Sequence, residues 1–241
     1  MKTSFSSKIL FPILCFAFSI VKAQDESIKT FKGNSEIVTI CFSTDGKQLA
    51  SGSVDNTIKL YDVISGQNTG ILLGHKGWVN SVCFTSDNKF IASGSVDSTI
   101  KLWNVLNGQC LKTFRKHNGS VESICFSPDN KFIASGSIDK TIKLWNIASG
   151  QVVKTFRGHT EDVKSICFSF DGKYLVSGSE DNTLKLWDVS SGKNLKTFIG
   201  HNDLIWTVCM SHDGKHLASA SRDNTIKLWD VSSVKNLKTS F

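Results

Sequence analysis

The chain has 241 residues, of which 40% are hydrophobic and 20% are charged, and it contains two prolines. This composition is that of a folded globular protein, and it excludes a largely disordered or collagen-like chain. The formal net charge of +7 falls to +4 without residues 1–23, which hold three lysines and no acidic residue, and this mild balance does not by itself call for a nucleic acid or an anionic membrane.

The first segment has the order of a secretory signal. Lys2 and Lys8 precede an apolar run over residues 9–21, which ends in small residues before Gln24. The run is shorter than the roughly 20 residues that cross a bilayer. We therefore expect a signal peptide over residues 1–23, no stable membrane span after its cleavage, and a mature chain that is secreted or lies in the secretory pathway. An uncleaved anchor or a wrongly assigned start codon, the latter with a cytoplasmic protein, is the alternative.

Residues 28–241 repeat with a period of 42. The step links Asp55, Asp97, Asp139, Asp181 and Asp223, and likewise Tyr61, Trp103, Trp145, Trp187 and Trp229. Such a period indicates a repeat architecture. We predict one repeat domain over residues 24–241, with copies at about 28–67, 68–109, 110–151, 152–193 and 194–241.

Each copy contains four short runs that favour β-strands. In the fourth copy they read VVKTF, VKSICFSF, KYLVSGS and NTLKLWDV, separated by Asp-Gly, Asp-Asn or Ser-Gly turn pairs. No segment has a long helical period. The chain is therefore predicted to be all-β, with four strands per repeat.

The recurring Gly-His, Asp-Gly, Ser-Gly-Ser and Trp-Asp pairs resemble the WD40 repeat family. The resemblance implies a β-propeller of five four-stranded WD40 blades, incomplete or open unless an outer strand closes the ring. Residues 28–31 and 237–241 both read as outer strands, one more than five blades need. An open ring would leave strand edges that favour self-association. The first copy departs from the pattern at Asn34 and Tyr61, which replace a histidine and a tryptophan.

The resemblance also implies a hydrogen-bonded tetrad of His, Ser, Asp and Trp that locks a blade. Four copies carry all four residue types. These are His75, Ser93, Asp97 and Trp103; His117, Ser135, Asp139 and Trp145; His159, Ser177, Asp181 and Trp187; and His201, Ser219, Asp223 and Trp229.

Serine, histidine and aspartate together suggest a hydrolase, but a catalytic triad is a single constellation and this one occurs four times. The chain has no nucleophile elbow, phosphate-binding loop or dinucleotide fingerprint. His212 and His216 lack a second ligand cluster. We therefore expect no catalytic residue, no cofactor and no metal site. The cysteines at the 42-residue step, Cys41 to Cys209, are interpreted as buried small hydrophobes.

Binding is expected where the copies differ. By resemblance, the exposed positions of one face lie three and five residues after the tetrad histidine and directly before the tetrad aspartate. The predicted partner-binding residues are Trp78, Asn80, Glu122, Ile138, Asp162, Lys164, Glu180, Leu204, Trp206 and Arg222. Trp78 and Trp206 are the candidate hot spots. The acidic residues around Lys164 suggest a basic or polar peptide.

The leading hypothesis is a non-enzymatic scaffold that binds a protein or peptide on the top face of the propeller. The alternatives are a secretory-pathway propeller that binds carbohydrate or acts as an enzyme, and a truncated fragment of a longer WD40 protein. A lysine recurs in every third strand, at Lys59, Lys101, Lys143, Lys185 and Lys227. We expect solvated lysine heads spread around the ring and no nucleic-acid partner.

Overall fold

The computed structural model describes residues 30–31, 33, 35–232 and 236–240, and the predicted signal peptide lies outside them. The described residues form twenty β-strands. The first two sheets contain β1 (Ile37–Phe42), β2 (Gln48–Ser53), β3 (Ile58–Asp62), β4 (Asn68–Leu72), β5 (Val79–Phe84), β6 (Phe90–Ser95), β7 (Thr99–Asn104) and β8 (Cys110–Arg115). The third and fourth contain β9 (Val121–Phe126), β10 (Phe132–Ser137), β11 (Thr141–Asn146), β12 (Val152–Arg157), β13 (Val163–Phe168), β14 (Tyr174–Ser179), β15 (Thr183–Asp188) and β16 (Asn194–Ile199). The fifth contains β17 (Ile205–Met210), β18 (His216–Ser221), β19 (Ile226–Asp230) and β20 (Asn236–Ser240).

Every sheet is an antiparallel meander of four consecutive strands. The inner strands β1, β5, β9, β13 and β17 pack against one another in order, and the fourth strand of each sheet lies outermost. The run VVKTF lies in β12, which pairs with β11 and completes the third sheet. A sequence copy that starts with this run therefore supplies the outer strand of one sheet and three strands of the next.

A tight turn between the second and third strands sets the position of the tetrad aspartate. The residue after each aspartate has a positive φ, from 64° to 68° at Asn56, Ser98, Lys140, Asn182 and Asn224. Asparagine adopts this left-handed conformation more readily than most residues. The aspartate Oδ1 accepts a hydrogen bond from the backbone N–H two residues later, as Asp181 does from Thr183 at 3.0 Å. The turn thus holds the carboxylate in one orientation.

The core lies between neighbouring sheets. In the joint between the fourth and fifth sheets, Leu184 and Leu186 of β15 pack with Ile205 and Val208 of β17 and with Trp229 of β19. Equivalent clusters fill the three preceding joints. Because both faces of the central sheets are covered, their second and third strands are buried on both sides, and the alternation of buried and exposed side chains in a half-exposed sheet is absent.

The row of sheets is open between the fifth and the first. Over the described residues, β17 makes no packing contact with β1 like those between consecutive inner strands. The prediction of an all-β fold with five four-stranded blades is confirmed, and of the closed and open arrangements that the sequence left undecided, the described residues form the open one. The outer position of the fifth sheet is taken by β20, which pairs with β19. Thr30 and Phe31 are not in a strand, and Phe31 instead packs edge-on against Tyr61 with ring centroids 5.3 Å apart.

The expectation of solvated lysines on the third strands is wrong. Lys59, Lys101, Lys143, Lys185 and Lys227 are only 5–9% exposed. The third strand lies between the second and the outer strand of its own sheet, and its lysine side chain is buried there. The Lys101 Nζ donates to Thr113 Oγ1 on the outer strand at 2.9 Å, and burial lowers the pKa of Lys143.

The interpretation of the repeated cysteines as buried is also wrong in part. Cys41, Cys83, Cys125 and Cys167 are half-buried, and Cys209 is exposed. Cys209 lies on the inner strand of the fifth sheet, and no following sheet covers it in the described part of the chain.

Candidate functional site

Each of the second to fifth sheets holds one buried chain of hydrogen bonds. In the fourth sheet, Trp187 Nε1–H donates to Ser177 Oγ at 2.8 Å. His159 Nε2 lies 2.7 Å from the same Oγ, and His159 Nδ1 lies 2.7 Å from Asp181 Oδ2. With the Nδ1–H donating to the carboxylate, Nε2 accepts the serine hydroxyl. Every polar group in the tetrad then has a partner.

The other three tetrads have the same geometry. The His–Asp, His–Ser and Trp–Ser distances are 2.9, 2.7 and 2.8 Å for His75, Asp97, Ser93 and Trp103. They are 2.7, 2.7 and 2.8 Å for His117, Asp139, Ser135 and Trp145. They are 2.8, 2.7 and 2.9 Å for His201, Asp223, Ser219 and Trp229. All of these histidines, serines and tryptophans are buried.

A threonine that the sequence interpretation missed completes each tetrad. Thr183 Oγ1 donates to Asp181 Oδ1 at 2.6 Å, and the backbone N–H of Thr160 donates to Oδ2 at 3.0 Å. The signal was available, because threonine recurs at the 42-residue step two positions after the aspartate. Burial alone raises the pKa of Asp181, but the hydrogen bonds from His159 and Thr183 outweigh it and hold that pKa well below its ordinary value.

The first sheet has an incomplete lock. Tyr61 replaces the tryptophan and is buried, and Asn34 lies outside the described residues. Ser51 Oγ is buried and has no hydrogen-bond partner in the described part of the chain. Its equivalents Ser93, Ser135, Ser177 and Ser219 each accept an indole N–H. The loss of the indole therefore leaves a hydroxyl without its donor.

The predicted binding residues lie at one end of the sheets, where the chain enters the first strand and turns between the second and third strands. We call this end the top face. The residue three after the histidine accepts a backbone hydrogen bond from the residue before the aspartate: Trp78 from Val96, Ser120 from Ile138, Asp162 from Glu180, and Leu204 from Arg222, at 2.9–3.1 Å. Each sheet therefore presents these two positions side by side.

The residues five after the histidine connect neighbouring sheets. Asn80 Nδ2 donates to Glu122 Oε1 at 3.1 Å, and Lys164 Nζ donates to Glu122 Oε2 at 3.0 Å. Lys164 also lies 3.3 Å from Glu180 Oε1. A continuous polar chain thus runs from the second sheet through the third to the fourth. We call Asn80, Glu122, Lys164 and Glu180 the polar chain.

The charges around this chain are mostly acidic. Burial is the largest influence on the pKa of Asp162 and raises it, and the nearby Glu180 and Glu122 raise it further against the opposing effect of Lys164. Burial lowers the pKa of Lys164, but Glu122 and Glu180 outweigh this, so the pKa of the lysine is raised overall. The ion pairs with Glu122 and Glu180 therefore stabilise the charged form of Lys164.

The structure does not bring the two candidate hot-spot tryptophans together. Trp78 precedes β5 of the second sheet and is 52% exposed, whereas Trp206 lies in β17 of the fifth sheet and is half-buried. Two sheets separate them. Beside Trp206, Leu204 is half-buried, and the exposed Arg222 has its Nε 3.9 Å from Asp203. Ile138 is exposed on the third sheet, as is Val96 on the second.

Grooves occur at the opposite end of the sheets. One between the third and fourth sheets, of about 730 Å³, is lined by residues such as Lys154, Tyr174 and Asp188. The part of the chain that the structure describes holds no group of three or more His, Cys, Asp or Glu arranged to bind a metal. Among the same residues, no helix is long and apolar enough to cross a membrane.

Comparison with known proteins gives one family. The WD40 family, described as WD domain, G-beta repeat, matches residues 25–62, 66–104, 108–146, 150–188 and 192–230. In Gallus gallus, a chromatin assembly factor 1 subunit is 45% identical over 53 residues, which are 22% of this chain and 9% of that protein. Periodic tryptophan protein 2 of Arabidopsis thaliana is 41% identical over 46 residues, which are 19% of this chain and 5% of that protein. The matched segments thus span less than a tenth of these relatives.

Proposed function

Because the chain belongs to the WD40 repeat family, we propose that it is a non-enzymatic scaffold that binds a protein or peptide partner on its top face. The family matches cover most of the chain and confirm the resemblance that the sequence motifs predicted. Five sheets in register supply a rigid frame, and the residues that differ between copies lie together at one end of it.

The observation that carries the proposal is that carboxylate groups outnumber ammonium groups around Lys164. Four carboxylates, Glu122, Glu161, Asp162 and Glu180, lie in this region with two ammonium groups, Lys164 between Glu122 and Glu180 and Lys140 at 3.1 Å from Glu161. A surface of this sign attracts lysine or arginine side chains and repels phosphate. The partner segment that it fits is a basic peptide, and a nucleic-acid backbone is disfavoured.

Apolar side chains beside the acids supply the remaining contact area. Trp78, Val96 and Ile138 are all exposed at the top face. Exposed aromatic residues near polar groups are the commonest hot spots of protein interfaces. We therefore assign the main apolar contact to the second and third sheets, the charged contact to the third and fourth, and a second apolar contact to Trp206 of the fifth sheet.

The tetrads offer no reaction centre. The Ser177 hydroxyl accepts from Trp187 and bonds His159, and both Ser177 and His159 are buried. A nucleophilic serine needs an exposed oxygen next to its base. The repeated Ser, His and Asp residues therefore act in folding.

Carbohydrate binding is the second candidate, and the exposed ring of Trp78 favours it. An indole face stacks on a sugar as readily as on a peptide. Trp206 lies two sheets away, so a small sugar placed on Trp78 would be held by one ring.

Binding of the purified protein to an array of basic peptides, matched acidic peptides and glycans separates the candidates. The proposal expects signal on basic peptides that falls in Glu122→Gln and Glu180→Gln variants. The matched control is Asp87→Asn, which changes an exposed carboxylate in the turn between β5 and β6, at the opposite end of the sheets. Binding to glycans alone, or equal binding to the basic and the matched acidic peptides, would refute the peptide proposal.

The compartment rests on residues 1–23, and we propose the secretory pathway or secretion, with the cytoplasm as the alternative. Asn118-Gly119-Ser120 is a glycosylation sequence, and Asn118 is exposed. A glycan on Asn118, seen by mass spectrometry of protein from secreting cells as added mass that a glycosidase removes, supports the secretory assignment. An unprocessed N-terminus on a chain retained in the cytoplasm contradicts it.

A further inference from the structure

The structure contains four copies of one interface, which is the joint between consecutive sheets. In the joint between the first two sheets, Ile58 and Leu60 of β3 pack with Val79, Val82 and Phe84 of β5. In three of the joints a serine hydroxyl of the preceding inner strand accepts a backbone N–H of the next. These bonds join Ser81 to Ile124, Ser123 to Ile166 and Ser165 to Val208, each at 3.1 Å.

The fifth sheet presents the first half of this interface, and none of the described residues covers it. Ile226 and Leu228 of β19 are 57% and 37% exposed. Their equivalents in the other four sheets are at most 5% exposed: Ile58 and Leu60, Ile100 and Leu102, Ile142 and Leu144, and Leu184 and Leu186. Thr207 carries a hydroxyl at the position that Ser165 holds in the preceding sheet. We call Thr207, Ile226 and Leu228 the trailing face.

The first sheet presents the second half. Phe42 is 50% exposed and Ile37 is 36% exposed, whereas their equivalents Phe84 and Val79 are buried against the preceding sheet. Ile40 holds the position at which Val82 packs in the first joint, and it is half-buried. We call Ile37, Ile40 and Phe42 the leading face.

We propose that the trailing face of one copy binds the leading face of a second copy, so that the protein assembles head to tail. The two faces repeat, residue by residue, the two sides of an interface that this chain forms internally four times. Apolar faces of this kind are driven from water and mark sites of association. Because the two halves differ, the contact is heterologous, and copies either close into a ring or extend as a chain.

One residue makes this contact weaker than the internal joints. Gly52, Gly94, Gly136 and Gly178 lie so close to the next sheet that a Cβ would come within 2.6–2.7 Å of a valine or isoleucine side chain. The fifth sheet has Ala220 at this position. Its Cβ would meet Ile37 of the second copy, so the two sheets must sit farther apart. The association is therefore reversible, and Ala220→Gly strengthens it.

Sedimentation of the purified protein, as the cell processes it, over a series of concentrations tests the proposal. The average mass should rise from one chain to two or more, and Ala220→Gly should shift this rise to lower concentration. Leu106→Asp, at an exposed turn, should behave as the wild type. A wild-type protein that stays monomeric at every concentration overturns the proposal, whether the two faces stay apart or close on each other within one chain.

Two single-face variants test the polarity of the contact. Phe42→Asp removes the leading face and Leu228→Asp removes the trailing face, so each alone should be monomeric. Mixed in equal amounts they should form a species of two chains and nothing larger. Association of either variant with itself would show a contact between identical faces and overturn the head-to-tail assignment. If an aspartate variant fails to unfold like the wild type, Ala220→Gly and the wild-type concentration series still decide the question.

Discussion

Glu122 and Lys164 occupy equivalent positions 42 residues apart, and they form an ion pair of 3.0 Å between neighbouring sheets. Both side chains are less than one-fifth exposed. The pair connects the third and fourth sheets at the top face, so the residues that differ between copies also contact one another. A partner that binds here therefore meets a continuous surface.

The tetrad serine makes a measurable contribution to stability, and the first sheet provides its control. Ser177→Ala removes the partner of both Trp187 Nε1 and His159 Nε2. We expect it to lower the free energy of unfolding by about 1–3 kcal/mol for each buried group left unsatisfied. Ser51→Ala removes a buried hydroxyl that has no partner in the described residues and should be neutral or stabilising. Urea unfolding of both variants checks this, and equal losses would contradict the account.

Acid should destabilise the fold through the tetrad aspartates. Asp97, Asp139, Asp181 and Asp223 are partly buried, which opposes ionisation, but hydrogen bonds from His and Thr side chains and backbone amides hold their pKa values well below 3.8. A lowered folded-state pKa gives stability that is fully present above the unfolded pKa of about 4 and is lost as the pH falls below it. Thermal unfolding between pH 7 and pH 2.5 should show this loss. An unfolding temperature that stays constant below pH 4 would contradict it.

Two aspartates of the fourth sheet should respond oppositely to replacement by asparagine. Asp181→Asn removes the charged carboxylate that accepts hydrogen bonds from His159 and Thr183. We expect it to lower the free energy of unfolding by about 1.5–3 kcal/mol. Burial, Glu180 and Glu122 raise the pKa of Asp162 above its ordinary value, so its ionised form is less favourable in the folded chain than in the unfolded chain. Asp162→Asn should therefore leave stability unchanged or raise it slightly. Calorimetric unfolding at pH 7 compares the two, and destabilisation by both would show that Asp162 is a structural residue.

The strands could be predicted because their turn pairs repeat, and the tetrads could be predicted because the repeated residues resemble the WD40 family. Turn pairs such as Asp171-Gly172 mark the ends of strands. The tryptophan that recurs every 42 residues, as at Trp187, indicates that each copy places it in the same environment. The same recurrence would have identified Thr183 as a member of the tetrad. Local pattern and internal repetition agree here at every copy.

Features that depend on contacts between sheets could not be predicted in the same way. Lys185 reads as a surface residue, yet it is buried in the third strand of its sheet, and its Nζ donates to Thr197 on the outer strand. Leu186 and Leu228 are identical in type and occupy equivalent positions, but among the described residues a following sheet covers Leu186 and not Leu228. Burial at these positions is a property of the neighbour, which the local sequence does not contain.

The most direct test of top-face binding is calorimetric titration of a basic peptide, selected on the array, into the wild type and a Trp78→Ala/Trp206→Ala double variant. Leu106→Ala at an exposed turn is the control for the loss of apolar surface. We expect the wild type and the control to bind alike and the double variant to lose at least about 2 kcal/mol of binding free energy, a typical hot-spot loss, while its unfolding temperature is unchanged. Equal affinity of all three proteins for the peptide would contradict the assignment of partner binding to the top face.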